Sequence, residues 1–344
     1  MNFDQHTEAR TGNQKASGSV VADLRPLAVV AFGGNALLPA GGQLTMAVQR
    51  EQALKAAVAI APLAVSHRLV ITHGSGPQVG ILSEQSLQAT ALKDTTLDVV
   101  DAEIEGMIGY LLMQACQNTF ACDVATLLTQ VAVNPYDEAF SLPTKPIGGF
   151  VSKQTAKRLH EERGWTFALR TGGFRRLVAS PTPIEIIELP SIRALITSGI
   201  VPVCAGGGGI PVVRTDYQLE GIEAVVDKDH VSSLLAQELH ADLLLLLTDV
   251  DGLSTGFGNP HARLVRHAPI VWARQQCLEA GSIAPKVEAC CNFVEATGNP
   301  AFIGKLSEAA EVVAGTKGTR FDAVGTIADL ECPPCASLSS VSSV

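Results

Sequence analysis

Short runs of consecutive apolar residues alternate along this chain with glycine-rich turns and with stretches of helical periodicity. The runs "PLAVVAF", "HRLVIT", "GIVPVCA" and "ADLLLLLT" predict strands that are buried on both faces, and "DVATLLTQVAV" predicts another strand. Helices are predicted between them by "TMAVQREQALKAAVAIAPLAV", "EIEGMIGYLLMQACQNTF" and "HVSSLLAQELH". Because strands and helices alternate, we expect a mainly parallel sheet covered by helices on both sides.

This rhythm breaks from about Asn134 to Pro190. The segment is rich in proline, glycine and basic residues, as in "NPYDEAFSLPTKPIGGF" and "GWTFALRTGGFRRLVASPTP". Such composition predicts an inserted, hairpin-rich subdomain rather than another strand–helix–strand unit.

Composition and charge narrow the class of protein. The 344 residues are 47% hydrophobic and 17% charged, an ordinary globular profile for a chain that can bury a sizeable core. The net charge of −9 and the lack of a basic stripe argue against nucleic acid as a partner. The longest purely apolar run, "LLLLL", is too short to span a bilayer.

The two ends of the chain are predicted to lie outside the folded domain. Residues 1–25 are polar and contain no apolar core of a secretion signal, so we expect a disordered extension. Residues 322–344 are expected to form a tail, and its "CPPC" has no second pair with which to complete a metal site. The eight scattered cysteines indicate reduced thiols in a cytoplasmic protein.

Three glycine loops follow predicted strands and carry the candidate chemistry. They are "GGN" at 33–35, "HGSGPQVG" at 73–80 and "AGGGGIP" at 205–211. Such loops direct backbone N–H groups at anionic oxygens, so they indicate a phosphate site, although any one could be only a tight turn. The P-loop, dinucleotide, GxSxG and HExxH motifs are absent.

Three lysines lie in rigid surroundings. Lys145 is flanked by prolines, Lys228 lies between Asp227 and Asp229, and Lys286 follows "GSIAP". Each alone could be a surface charge. Combined with the glycine loops, they favour cations placed around a transferring phosphoryl group, a reaction catalysed mainly by positioning and charge stabilisation.

In this order and approximate spacing, the stretches "VVAFGGNALL", "HGSGPQVG", "GMIGYLL", "PTKPIG", "AGGGGIPVV", "AVVDKD", "LLTDVDG", "PKVEA" and "GTKGTR" resemble the carbamate kinases of the amino-acid kinase superfamily. The resemblance covers about residues 26–321. It implies a three-layer α/β/α sandwich with a mainly parallel central sheet, a small protruding subdomain at about 134–190, and a homodimer. The implied reaction is reversible phosphoryl transfer between Mg·ATP and carbamate, giving ADP and carbamoyl phosphate, and used to make ATP in arginine or purine catabolism.

The resemblance also implies roles for individual residues. Catalytic residues would be Lys145, Lys228, Asp229 and Lys286. The substrate and phosphoryl group would contact Gly33, Gly34, Asn35, Gly74, Ser75, Gly76, Gly206, Gly207 and Gly208. The nucleotide would contact Asp227, Thr248, Asp249 and Ser282. No metal ligand is expected from the protein itself, because Mg²⁺ would arrive on the phosphates of ATP or ADP.

Several positions depart from the family pattern. Ser75 replaces the asparagine of "HGNGPQVG", Ala284 replaces the second glycine of "GSMGPK", and Ser254 replaces an aromatic residue after "TDVDAV". The segment with Asp101, Glu103 and Glu105 replaces "CGAMSQG". Two alternatives therefore stay open: a kinase of another small carboxylate or N-carboxy compound, and a catalytically weak nucleotide-binding regulatory protein.

Overall fold

An eight-stranded sheet forms the middle layer of the protein. The computed structural model describes residues 23–34, 45–75, 78–79, 82, 95–170, 172–255, 262–276 and 283–325. Its strands lie in the order β15 (His267–Pro269), β17 (Thr319–Asp322), β16 (Ala301–Lys305), β12 (Leu243–Thr248), β1 (Leu27–Phe32), β2 (Arg68–His73), β9 (Val201–Cys204) and β3 (Val124–Leu127). Every neighbouring pair is parallel except β16 and β17. The prediction of a mainly parallel sheet is confirmed.

The strands of the described residues are β1 Leu27–Phe32, β2 Arg68–His73, β3 Val124–Leu127, β4 Gln130–Val133, β5 Lys145–Val151, β6 Thr166–Arg170, β7 Gly173–Val178, β8 Pro183–Ile186, β9 Val201–Cys204, β10 Ile210–Arg214, β11 Leu219–Gly221, β12 Leu243–Thr248, β13 Ser254–Thr255, β14 Arg263–Leu264, β15 His267–Pro269, β16 Ala301–Lys305 and β17 Thr319–Asp322.

The helices are α1 Met46–Ser66, α2 Leu97–Gln117, α3 Glu138–Ser141, α4 Lys153–Arg163, α5 Leu189–Thr197, α6 Lys228–Glu238, α7 Ile270–Arg274, α8 Ile283–Thr297 and α9 Ala309–Val313, with 3₁₀ turns at Gly206–Gly208 and Leu306–Glu308.

Both faces of the central sheet are buried, which is why its strands read as continuous apolar runs. In β1, Val30 and the residues two positions before and after it pack into one core with α1 and α2. Val29 and the residues two positions before and after it pack on the other face, into a second core with α6 and α8. Ser233 of α6 donates a buried hydrogen bond of 2.8 Å to the Ala289 carbonyl of α8. The three-layer α/β/α prediction is therefore confirmed.

The single strand predicted by "DVATLLTQVAV" is wrong. The segment forms β3 in the central sheet and β4 in a separate four-stranded sheet of order β11-β10-β4-β8. The chain changes sheets at Leu128, which is half exposed, and at Thr129, which is fully buried. The Thr129 amide donates to Glu105 and its hydroxyl accepts from the Ala205 amide, and neither bond belongs to a strand pair. Strand pairing is therefore interrupted at this residue.

Within residues 134–190, the antiparallel sheet β5-β7-β6 and helix α4 form a separate unit, while β8 belongs to the four-stranded sheet. The Arg176 guanidinium stacks 3.4 Å from the centre of the Trp165 ring and donates to Glu223 at 3.0 Å. Lys145 opens β5. This unit therefore brings a lysine towards the central sheet from outside it.

None of the helices in the described ranges has the length and apolar character needed to cross a bilayer. The CPPC pair and the predicted disordered extension up to residue 22 lie outside the described residues.

Candidate active site

The glycine loops after β1 and β2 meet at the carboxyl ends of neighbouring parallel strands. The Gly33 amide donates to the Leu247 carbonyl of β12 at 2.7 Å, and the Gly74 amide donates to the Phe32 carbonyl at 2.9 Å. A Cβ on Gly74 would lie 2.7 Å from the Gly34 nitrogen and 3.0 Å from the Lys228 side chain. These contacts place Gly34 and Lys228 against the same glycine.

The glycine run after β9 needs glycine for its conformation. Gly207, Gly208 and Gly209 have φ values of 72°, 107° and 74°, which L side chains rarely adopt. The run also approaches other backbone and side chains closely: a Cβ on Gly207 would lie 2.7 Å from Ser75 Oγ, and one on Gly208 would overlap the Val226 carbonyl. The glycine run thus contacts both the loop after β2 and the residues at the start of α6.

Replacing Gly208 with alanine is expected to lower the free energy of unfolding by roughly 3 kcal/mol or more, because positive φ and overpacking are both penalised. Gly199→Ala is the matched control: Gly199 has a φ of 74°, but its added Cβ would meet nothing within 4 Å. The control should lose only about 1 to 2 kcal/mol. Equal losses in urea unfolding would show that the close approach to Val226 contributes nothing.

Two lysines share one buried carboxylate beside these loops. Asp229 accepts from Lys228 Nζ at 2.5 Å through Oδ1 and from Lys286 Nζ at 3.1 Å through Oδ2. The side chains of Asp229 and Lys286 are almost completely shielded from water, and that of Lys228 is 12% exposed. Burial and the neighbouring Lys286 lower the pKa of Lys228, while Asp229 opposes that shift. The arrangement fixes the two lysines close together next to the glycine loops.

Lys145 reaches this region from the three-stranded unit. Its Nζ donates to the Asp227 carboxylate at 3.0 Å and to the Val226 carbonyl at 3.1 Å. The other oxygen of Asp227 caps α6 by accepting from the Asp229 amide at 2.9 Å. Burial opposes ionisation of Asp227, but Lys145, with His230 and Lys228, outweighs it and holds its pKa well below the usual range.

Two residues behind the glycine run were missed by the sequence reasoning as site residues. Glu105 of α2 accepts from the Gly206 amide at 2.8 Å and from the Thr129 amide at 3.0 Å. The Thr129 hydroxyl in turn accepts from the Ala205 amide at 2.9 Å. The Gly206 N–H therefore already donates to Glu105. The predicted contact of Gly206 with the substrate is then limited to the close approach of its backbone.

His73, at the end of β2, packs its ring against Gly206 and is 1% exposed. Burial lowers its pKa to about 4, so the imidazole is neutral near pH 7. This placement fits a supporting role for the ring better than direct contact with the acceptor.

The end of β12 holds the remaining predicted contacts. Thr248 Oγ1 donates to Asp249 at 3.1 Å, and Asp251 forms a surface ion pair with Lys305 at 2.6 Å. Gly33 lies beside Thr248. The described residues contain no cluster of three or more His, Cys, Asp or Glu side chains that could hold a metal ion. Asn35, Gly76 and Ser282 lie outside them.

The sequence profile of the amino acid kinase family matches residues 26–305. The chain belongs to the amino acid kinase family. The carbamate kinase of Rhizobium meliloti is 44% identical over 296 residues, covering 85% of this chain and 91% of the relative. That of Haemophilus influenzae is 42% identical over 295 residues, covering 85% and 95%. These relatives confirm the predicted resemblance.

Solved structures agree with this placement in the amino acid kinase family. The structure of Giardia lamblia carbamate kinase bound to AMP-PNP is 35% identical, with a TM-score of 0.79 over 87% of this chain and 99% of its own. An N-acetylglutamate synthase from Neisseria gonorrhoeae is only 13% identical, with a TM-score of 0.55 over 87% and 62%, and shares the fold alone. The amino acid kinase fold is thus shared with proteins of different names.

Proposed function

We propose that this amino acid kinase is a carbamate kinase, which transfers a phosphoryl group reversibly between ATP and carbamate. The observation that carries the proposal is the pair Lys228 and Lys286 on the single carboxylate of Asp229, beside glycine loops from three strand ends. The identity of about 40% to carbamate kinases over most of the chain supports the same reaction.

The chemistry needs cations more than an acid or base. A carbamate oxygen attacks the γ-phosphorus of ATP, the bond from that phosphorus to the β,γ-bridging oxygen breaks, and ADP leaves with the electron pair. Carbamate is already an anion, so no proton must be removed. The main barrier is bringing two anions together, which preorganised ammonium and N–H groups lower.

Each group has a proposed role. Lys228 and Lys286 neutralise the oxygens of the transferring phosphoryl group, and Asp229 orients both. Gly33, Gly34, Gly74, Ser75, Gly207 and Gly208 line the acceptor and phosphoryl site, with Asn35 and Gly76. Lys145 closes over the site from its own unit. Thr248, Asp249 and Ser282 contact the nucleotide, and Asp227 adds to that contact while holding Lys145.

Mg²⁺ is proposed to enter bound to the nucleotide phosphates, where it screens their charge during transfer. A homodimer and a cytoplasmic location are likewise part of the proposal and are tested separately, by light scattering of the purified protein and by cell fractionation.

The deciding assay is formation of ATP from ADP and carbamoyl phosphate with Mg²⁺, followed by a coupled reaction. We expect rapid ATP formation, and in the forward direction we expect carbamate to exceed acetate, formate and N-substituted carbamates by at least about tenfold in kcat/KM. A small carboxylate that outperforms carbamate would instead favour the broader acyl-phosphate kinase. Nucleotide binding without transfer to any acceptor would favour a regulatory protein.

A further inference from the structure

Lys305 is the last residue of β16 and has no role in the mechanism proposed above. In the parallel pair of β12 and β16 it lies directly opposite Thr248, the last residue of β12. Thr248 is one of the residues that we propose to contact the nucleotide. Lys305 therefore lies at the carboxyl edge of the central sheet, which is the edge where open α/β sheets bind their ligands.

The side chains of Thr248 and Lys305 lie on the same face of the sheet as α6 and α8. Successive side chains of a strand point to opposite faces, so residues two positions apart share a face. Leu246 and Ile303, two positions earlier in β12 and β16, both pack into the core that contains α6 and α8. Lys305 therefore shares this face with the two helices that carry the proposed catalytic lysines.

The Lys305 ammonium is paired with a carboxylate on a well-anchored loop. Its Nζ lies 2.6 Å from Asp251 Oδ1, and the lysine side chain is 39% exposed. Asp251 belongs to the loop after β12. That loop is fastened to Thr319 of "GTKGTR", whose hydroxyl accepts from the Leu253 amide at 2.8 Å and would lie 2.5 Å from an added Cβ on Gly252. The ammonium is thus preorganised, yet accessible to a ligand.

The ion pair of Lys305 and Asp251 is of a kind that a ligand can open. Both side chains are partly exposed, and ion pairs at the surface stabilise a protein very little. A lysine ammonium is a compact charge with three rotatable donors, so it can turn from one anionic oxygen to another. A phosphate that approaches this edge of the sheet can therefore replace Asp251 as the partner of Lys305 at little cost.

We propose that Lys305 binds the α-phosphate of the nucleotide, and that Asp251 holds its ammonium in position until the nucleotide arrives. Lys305 is a binding residue in this proposal, because it does not touch the phosphoryl group that is transferred. The inference rests on the proposed function, since it assumes a nucleotide whose transferring phosphoryl group lies at the loop after β1.

The order of the strands supports contact with the α-phosphate. β16 is separated from β1 by β12 alone, so the two strands lie about 10 Å apart. The phosphates of a nucleotide that starts at the loop after β1 would run across the end of β12, beside Thr248. The Lys305 side chain reaches back towards the same loop to meet Asp251. The ammonium is therefore placed for the phosphate farthest from the transferring group.

The first test measures the affinity for ADP by isothermal titration calorimetry, with Mg²⁺ and without an acceptor. Lys305→Gln should bind ADP roughly tenfold more weakly than the wild type, because it loses one charge-assisted hydrogen bond to phosphate. The melting temperature should stay near that of the wild type, since the ion pair that is lost is exposed. Wild-type affinity in Lys305→Gln would overturn the proposal.

Lys317→Gln is the matched control, because it removes the same charge from the same corner of the protein. Lys317 is half exposed and pairs with Glu308 at 3.4 Å. Its neighbour Gly318 approaches β16 so closely that an added Cβ would lie 2.6 Å from the Ile303 carbonyl. Lys317→Gln should bind ADP like the wild type. Equal weakening in both lysine variants would indicate a general effect of charge and would contradict a direct contact by Lys305.

The second test removes the other partner of the ion pair. If Asp251 competes with the nucleotide for Lys305, Asp251→Asn should bind ADP at least as tightly as the wild type, because the ammonium no longer has to leave a carboxylate. If the pair served only to shape the loop after β12, loss of either partner would weaken binding. Weaker binding of ADP by Asp251→Asn would therefore overturn the proposal.

The third test identifies the part of the nucleotide that Lys305 contacts. The affinities of Lys305→Gln and of the wild type are compared for ADP, AMP and adenosine. The loss of affinity should be similar for ADP and AMP, which both carry the α-phosphate, and absent for adenosine. A loss for ADP alone would assign the contact to the β-phosphate, and a loss for all three to the ribose or the base. Either result would contradict contact with the α-phosphate.

Steady-state kinetics separates this inference from the proposed function. In ATP formation from ADP and carbamoyl phosphate, Lys305→Gln should raise the KM for ADP roughly tenfold and leave kcat near the wild-type value, as expected for binding that is equal in the ground and transition states. A fall in kcat without a change in KM would overturn the binding role. If the wild type binds ADP but uses another acyl phosphate, the proposed acceptor is wrong and the calorimetric result for Lys305 stands. A wild-type protein that does not bind ADP would overturn both.

Discussion

Lys286→Ala is expected to lower kcat for ATP formation by roughly 100-fold or more, because the variant loses one preorganised charge at the transferring phosphoryl group. The Lys286 ammonium is almost fully shielded from water and is held at 3.1 Å from Asp229. In such a water-excluded position a fixed charge acts far more strongly than it would at the surface. The effect should appear mainly in kcat, since the interaction strengthens as charge develops in the transition state.

Lys55→Ala is the matched control for Lys286→Ala. Lys55 forms an exposed ion pair with Glu51 on α1, so its removal should leave kcat unchanged and stability nearly so. Circular dichroism and the melting temperature would show that both variants are folded. Turnover near the wild-type level in folded Lys286→Ala would remove Lys286 from the catalytic assignment.

Asp229→Asn should have the largest effect on stability, about 3 to 5 kcal/mol, because it leaves two buried ammonium groups without their shared counter-charge. An asparagine offers one acceptor oxygen where the carboxylate offers two to Lys228 and Lys286. Turnover should fall as well, since neither lysine keeps a fixed position. Urea unfolding gives the free energy, and the ATP assay at a temperature where the variant is folded gives kcat.

Glu162→Gln is the control for Asp229→Asn. Glu162 pairs with Arg158 on the exposed face of α4, and loss of a surface pair of this kind costs less than about 1 kcal/mol. Similar losses of unfolding free energy in the two variants would mean that Asp229 is exposed to water and stabilises the fold no more than a surface residue does. That result would contradict the shared-carboxylate arrangement on which the proposed function depends.

Local signals explain what the sequence could predict. Apolar runs such as those of β1 and β12 identify strands because burial on both faces leaves no polar position in them. The glycine loops fall at strand ends, where parallel topology brings them together. The lysines of "VDKDH" and "GSIAPK" could be singled out because the chain has few lysines and a rigid, glycine- and proline-rich surround is unusual for a solvated one.

Long-range contacts explain what the sequence could not predict. Glu105 stands out in the sequence only as a departure from the family pattern, and only the fold shows that its oxygens accept from amides 24 and 101 residues away. The same holds for Thr129, whose hydroxyl reaches Ala205. The division of "DVATLLTQVAV" between two sheets was missed for the same reason, because apolar periodicity continues through the break.

The two lysines that we propose to be catalytic lie on different helices, and this has a mechanical consequence. Lys228 opens α6, Lys286 lies in the first turn of α8, and the two helices are joined by the buried bond from Ser233 to Ala289. The spacing of the two ammonium groups therefore depends on the packing of α6 against α8 as well as on their shared partner Asp229. If the two lysines act as proposed, a shift of one helix against the other would change the spacing of positive charge around the phosphoryl group, so the packing of α6 on α8 would influence turnover from outside the glycine loops.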